Sequence, residues 1–193
     1  VEVRLVYDSA GCFGTTLKFF DSIIKAGGHV YKFHPPTLRL IGLNYNYRNH
    51  RKIVVVDGRI GYLGGMNVGK EYMSLDPSYS PWRDAHLRLV GDAVWDLQHR
   101  FFRDYFMVCE DKRDEVHIQS NLDHYFSASL VTTICPIQIV SDGPDTPTDD
   151  IKLAFVKMMQ TATKSIRIQT PYFIPDQLFL ETLKIAAYSG VKV

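Results

Sequence analysis

An α/β fold with a mixed sheet is the class this sequence predicts, and three observations predict it. Short strand-like stretches, alternating or wholly apolar, are separated by segments of helical periodicity. Glycine- and proline-rich punctuation falls between them. The chain also closes on AAYSGVKV, a helix ending in glycine followed by V-x-V, and opens on VEVRLVYD, the sequence expected to follow such a helix. That is the mark of an internal repeat.

The elements follow in order. VEVRLVYD sets Val1, Val3 and Leu5 against Glu2 and Arg4, a strand pattern. Gly11 and Gly14 mark a loop, and Thr15 or Thr16 caps a helix carrying Leu17, Phe20, Ile23 and Ile24 up to Gly27-Gly28. HVYKF is a second strand, and Pro35-Pro36 opens a loop rich in tyrosine and asparagine that runs to Asn49. IVVV, residues 53–56, has the composition of a buried strand, Asp57-Gly58 is a hairpin signal, and residues 59–63 form the return strand. After a polar loop over 73–82, HLRLV (86–90) alternates again. Residues 92–107 predict a helix with Val94, Leu97, Phe101, Phe102 and Tyr105 on one side. The charged stretch 108–130 reads as a linker or short helices. A strand over 134–140 leads to SDGPDTPTDD, the strongest loop signal in the chain. A helix (149–163), a strand (165–170), a TPYFIP turn, a helix (177–188) and a strand from Gly190 complete the reading. The expected domains are 1–140 and 149–193, with a boundary loop over 141–148.

The chain has 193 residues, 46% hydrophobic and 22% charged, enough to bury a core in one domain or two small ones. Lys plus Arg is 22 and Asp plus Glu is 21, so the net charge of +1 argues against nucleic-acid binding by overall positive charge. A local basic site stays open. Cys12, Cys109 and Cys135 are an odd number at wide spacings, which is neither a disulfide framework nor a zinc pattern, and a reducing compartment is the simplest reading. No apolar run approaches the ~18 residues of a spanning helix, and no signal peptide is visible. The sequence starts and stops inside strand-like stretches and reads as an excised fragment.

The sharpest feature is NHRKIVVVDGRIGYLGGMN, which holds His50, Lys52 and Asp57 in the spacing H-x-K-x4-D. If the strand reaches back to His50, its period of two places His50 and Lys52 on one face. Asp57 falls on the other parity, at the strand's end, and supports the turn. Gly64 and Gly65 let backbone approach a ligand closely, and the Asn67 amide can donate to it. Imidazole, ammonium and amide together suit a phosphodiester: histidine attacks phosphorus, while Lys52 and Asn67 hold the oxygens on which charge builds. Arg48 and Arg51 add to the basic character of the stretch. No metal or cofactor is called for, since His50 has no partner at zinc spacing. The other histidines, His29, His34, His86, His99, His117 and His124, read as surface or core residues.

The sequence resembles the phospholipase D superfamily, whose motif is H-x-K-x4-D followed by G-[GS]-x-N, and within it is most similar to bacterial cardiolipin synthases. The resemblance is carried by NYRNHRKIVVVDGRIGYLGGMNVGKEY, PWRDAHLRLVGDAVWDLQHRF and IQTPYFIPDQLFLETLKIAAYSGVKV, over nearly the whole chain. It implies α/β/α sandwich repeats, two per protein, each with one motif, meeting at a shared site. This chain would then hold most of a first repeat and the start of a second. By resemblance His50 is a catalytic histidine, either the nucleophile or the general acid/base partner, and Asp57 is the motif aspartate. Lys52 and Asn67, with Gly64 and Gly65, bind phosphate. Asp84 in WRDAHLRL matches the acidic residue that orients the motif histidine, and Tyr172 in TPYFIP resembles a pocket-lining position. Residues 100–193 contain no second H-x-K-x4-D, so the other half-site is expected beyond Val193.

The resemblance implies condensation of two phosphatidylglycerols to cardiolipin and glycerol through a phosphohistidine. It implies a location at the bacterial cytoplasmic membrane, with the catalytic region on the cytoplasmic side and anchor helices outside this sequence. The expected partners are phosphatidylglycerol, a membrane surface and the second motif-bearing repeat, or a second copy of the chain paired about a two-fold axis. Two rivals stand beside this reading. One is another phospholipase D-type phosphodiesterase acting on phospholipid or nucleic acid. The other is an inactive module that binds anionic lipid or phosphate.

Overall fold

The computed structural model describes residues 1–12, 14–33, 48–128, 131, 135–143 and 146–193. They form two compact units, Val1–Ile139 and Val140–Val193.

In the first unit, β1 (Arg4–Asp8) runs parallel to β2 (His29–Phe33), with Leu5 opposite Val30 and Tyr7 opposite Lys32. The connection is a 3-10 turn (Leu17–Phe20) leading into α1 (Asp21–Lys25). The expected helix is therefore shorter, and the Thr16 side chain makes no capping bond. Tertiary packing overrides the local signal here: the Phe20 ring lies 4.9 Å from Tyr7, while Phe19 points to solvent.

A second sheet is antiparallel: β3 (Ile53–Val56), β4 (Ile60–Gly64) and β5 (His86–Val90), with β4 central. Asp57, Gly58 and Arg59 join β3 to β4, and Asp57 and Gly58 have φ values of 53° and 64°. A turn with positive φ at both central positions has a twist that matches that of the strands it joins. Arg59 N–H closes it on the Val56 carbonyl at 3.0 Å. A Cβ on Gly58 would sit on the backbone carbonyl of Tyr125, so glycine is required twice over.

The mixed pairing expected from the sequence is present in part. Both parallel and antiparallel pairing occur, but among the described residues they occupy two separate sheets. Strand patterns specify faces, whereas pairing is settled by tertiary contacts. The buried β3 is corrected, because Val54 and Val56 are 52% and 42% exposed. One face of this sheet is covered: α2 (Ala93–Phe106) lies against it, and the Leu97 side chain fills the space where Gly61 lacks a Cβ.

Val94, Leu97 and Tyr105 of α2 are fully buried and Phe102 nearly so, as the apolar stripe predicts. The charged stretch beyond folds into two short helices, α3 (Lys112–Ser120) and α4 (Leu122–Tyr125). Asp111 caps α3 by accepting from Arg113 N–H at 2.9 Å. Phe102, Tyr105, Cys109, Ile118 and Tyr125 make one core cluster. Asp114 sits within it, accepting from Arg4 at 2.6 Å and from the Tyr105 hydroxyl. Burial pushes the Asp114 carboxyl up, but the Arg4 and Tyr105 hydrogen bonds outweigh burial and hold it below its ordinary value. Arg4 also donates to Glu2, and that bond is the main cause of the Glu2 carboxyl lying at about 2. Removing one partner of the buried Arg4–Asp114 pair costs about 3–5 kcal/mol, so that pair fastens β1 to the helical layer.

In the second unit, α5 (Asp150–Thr161) packs on α6 (Gln177–Tyr188), burying Val156, Met159, Thr182 and Ala186. Asp176 caps α6 through Phe179 N–H at 2.9 Å, and Lys152 reaches Asp176 at 3.3 Å. The expected strands at 165–170 and from Gly190 reduce to one parallel bridge between Ser165 and Lys192. Of the strand expected over 134–140, residues 135–140 are not a strand, and Ile134 lies outside the described residues. An extended segment becomes a strand only with a ladder partner, and none of the described residues supplies one there. The loop expected from Pro35-Pro36 lies outside the described residues as far as 47, as does His34.

Candidate active site

β3 begins at Ile53, so residues 48–52 precede it without regular structure, and the strand does not reach back to His50. His50 and Lys52 are brought together by another route: Lys52 Nζ donates to the His50 carbonyl at 2.7 Å. Burial lowers the Lys52 ammonium from its ordinary value, while the negative charges of Asp84 and Asp8 pull it back up. Lys52 thus lies in the field of two carboxylates, one from the loop before β5 and one from the C-terminal end of β1. His50 is exposed. Asp57 is also exposed, at the opposite end of β3, where it shapes the hairpin.

The end of β4 closes tightly on residues 84–86. A Cβ on Gly65 would sit on the Asp84 carboxylate, and one on Gly64 would lie 2.6 Å from His86 Cα. Gly65 N–H donates to the Ala85 carbonyl at 3.0 Å. The close approach that these glycines permit is thus to Asp84 and its neighbours. Asp84 accepts from Ala85 N–H at 2.7 Å and from the Trp82 indole at 3.5 Å. The Asn67 amide donates to the Tyr72 hydroxyl, and Tyr72 packs against Trp82 at 4.7 Å between ring centres. An aromatic group therefore borders both Asn67 and Asp84.

Two site features were not singled out from the sequence. The first is Asp8, whose charge acts on Lys52. The second is Asp104 of α2, only 3% exposed. Its Oδ2 accepts from Asn49 Nδ2 at 2.9 Å and from Arg51 Nη1 at 3.3 Å, and its Oδ1 accepts from Arg100. The available signal was an Arg–Asp pair four residues apart, Arg100 and Asp104, in a stretch whose other residues, Arg103 apart, are aromatic, RFFRDYF.

Tyr172 belongs to the second unit. It is 80% exposed, at the rim of an apolar hollow lined by Phe155, Met158, Phe173 and Phe179. Among the described residues, no three His, Cys, Asp or Glu side chains gather as a metal site would require, and no helix is long and apolar enough to cross a membrane.

This is an α/β chain with a histidine, a partly desolvated lysine and an adjacent carboxylate at one sheet end. No protein-family model matches the chain. All 193 of its residues align at 44% identity with the major cardiolipin synthase ClsA of Bacillus subtilis, covering 39% of that protein. They align at 47% with a cardiolipin synthase of Staphylococcus aureus and at 46% with cardiolipin synthase 2 of Staphylococcus epidermidis, covering 38% of each. The chain spans about two-fifths of the length of these relatives. Its whole sequence is homologous to a segment of the cardiolipin synthases.

Proposed function

We propose that this chain supplies one half of the active site of a phosphatidyltransferase that condenses two phosphatidylglycerols into cardiolipin and glycerol. The observation that carries the reading is the pairing of His50 with Lys52, in the field of Asp84, within a sequence homologous throughout to cardiolipin synthases. In the first step, a motif histidine attacks phosphorus of one phosphatidylglycerol. The P–O bond to glycerol breaks, and the second motif histidine protonates the leaving oxygen. In the second step, that histidine takes the proton from a glycerol hydroxyl of another phosphatidylglycerol. The hydroxyl oxygen displaces the phosphohistidine and closes the new phosphodiester. Lys52 and Asn67 hold the non-bridging oxygens, and Asp84 orients the imidazole and stabilises its cationic form.

The finer architecture belongs to the same proposal. The first unit is most of one phospholipase D-like α/β/α repeat and the second unit opens the next. The second histidine comes from residues outside this sequence or from a second copy of it. The protein works at the bacterial cytoplasmic membrane, where its substrate lies, with the site facing the cytoplasm.

The test is product analysis with the full-length protein on phosphatidylglycerol vesicles labelled in phosphate and headgroup. Diphosphatidylglycerol and free glycerol should appear in equal amounts. Phosphatidic acid as the main product would assign a hydrolase instead.

A further inference from the structure

We infer that Asp104 is a positioning residue for His50, acting through Asn49 and Arg51, the two residues that flank the histidine. The inference rests on the catalytic reading of His50. A carboxylate this buried persists only when it is paired and hydrogen-bonded. Arg100, one helical turn back on α2, already pairs its Oδ1. The other oxygen is turned to a segment more than fifty residues away in sequence, where it takes Asn49 at 2.9 Å and Arg51 at 3.3 Å. Asn49 closes the same grip from its own side, its Oδ1 accepting from Arg51 N–H at 3.1 Å.

The consequence follows from backbone geometry. Residues 48–52 have no helix or ladder bonds to hold them. His50 lies between two anchors that meet on one carboxylate, and Lys52 ties down its carbonyl. Anchors at the preceding and following residues limit the backbone dihedrals of the residue between, and hence the direction of its Cα–Cβ bond. A rigid helix thereby aims an exposed ring. An error of about 1 Å in such aim costs on the order of 100-fold in rate.

Asp104→Ala would strip buried Arg100 of its partner, so the test uses Asn49→Ala and Asp104→Asn in the full-length protein. Both are assayed on phosphatidylglycerol vesicles, below melting midpoints measured by circular dichroism. Each should lower kcat by about 10- to 100-fold with KM within about threefold. The double variant should fall no more than about threefold below the weaker single, because both act through one contact. Losses that multiply in the double variant, or a loss carried by KM, would overturn the inference. So would an Asn49→Ala enzyme of wild-type kcat beside an inactive His50→Ala. A His50→Ala enzyme that keeps its turnover would instead overturn the catalytic reading on which the inference rests.

Discussion

His50→Ala should reduce phosphatidyl transfer by the full-length protein at least about 1000-fold and leave its fold unchanged, because the proposed chemistry has no second route around a missing histidine. His50 is exposed and stands outside any helix or strand, so its ring contributes little packing. The tie to Lys52 runs through the His50 backbone carbonyl and survives the substitution. In either role proposed for His50, its loss removes the nucleophile or the acid that releases glycerol. In the proposed mechanism the two histidines act as one unit, and removing one member of such a unit removes most of its effect. Activity on labelled vesicles and a thermal melt, taken together, check this. Turnover within tenfold of wild type would contradict the assignment, and a collapsed melt would mean that the ring is structural.

Lys52→Ala is the second large effect. Losing one preorganised donor aimed at developing charge costs about 3–4 kcal/mol, or ~100- to 1000-fold in kcat. Lys52 fits that role because it is partly desolvated, held by a 2.7 Å bond and placed beside the histidine. Its pH behaviour gives a sign. Burial lowers its pKa, so the ammonium is lost on the alkaline side before an ordinary lysine would lose it. The rate should therefore fall as pH rises through that lowered value. Lys52→Arg keeps its charge at high pH, so any activity it retains should persist further into the alkaline range. A Lys52→Ala enzyme with raised KM and unchanged kcat would reduce Lys52 to ground-state binding.

Features that depend on neighbouring residues alone were legible in the sequence. The Asp57-Gly58 hairpin, the stripe on α2 and the limits of α6 follow from turn chemistry and helical period. The strand face expected to carry His50 and Lys52 does not form: β3 begins at Ile53, and Lys52 Nζ instead donates to the His50 main-chain carbonyl. What the sequence concealed depends on long-range pairing. Nothing local separates one mixed sheet from a parallel pair and an antiparallel trio. Nor does anything local show that 135–140 lacks a ladder partner among the described residues. Gly64 and Gly65 were read as room for a ligand, but their missing Cβ atoms make room for Asp84 and residues 85–86. Asp104 was hidden for the same reason, since its partners Asn49 and Arg51 lie on a distant segment.

The covalent histidine route at the centre of this proposal is tested most directly by the stereochemistry at phosphorus. Phosphatidylglycerol made chiral by a phosphorothioate of known configuration can be turned over by the full-length protein, and the configuration of the cardiolipin product determined. Each in-line displacement inverts phosphorus, so transfer onto histidine and then onto the second phosphatidylglycerol predicts net retention. Net inversion would mean a single direct displacement and would contradict a phosphohistidine intermediate.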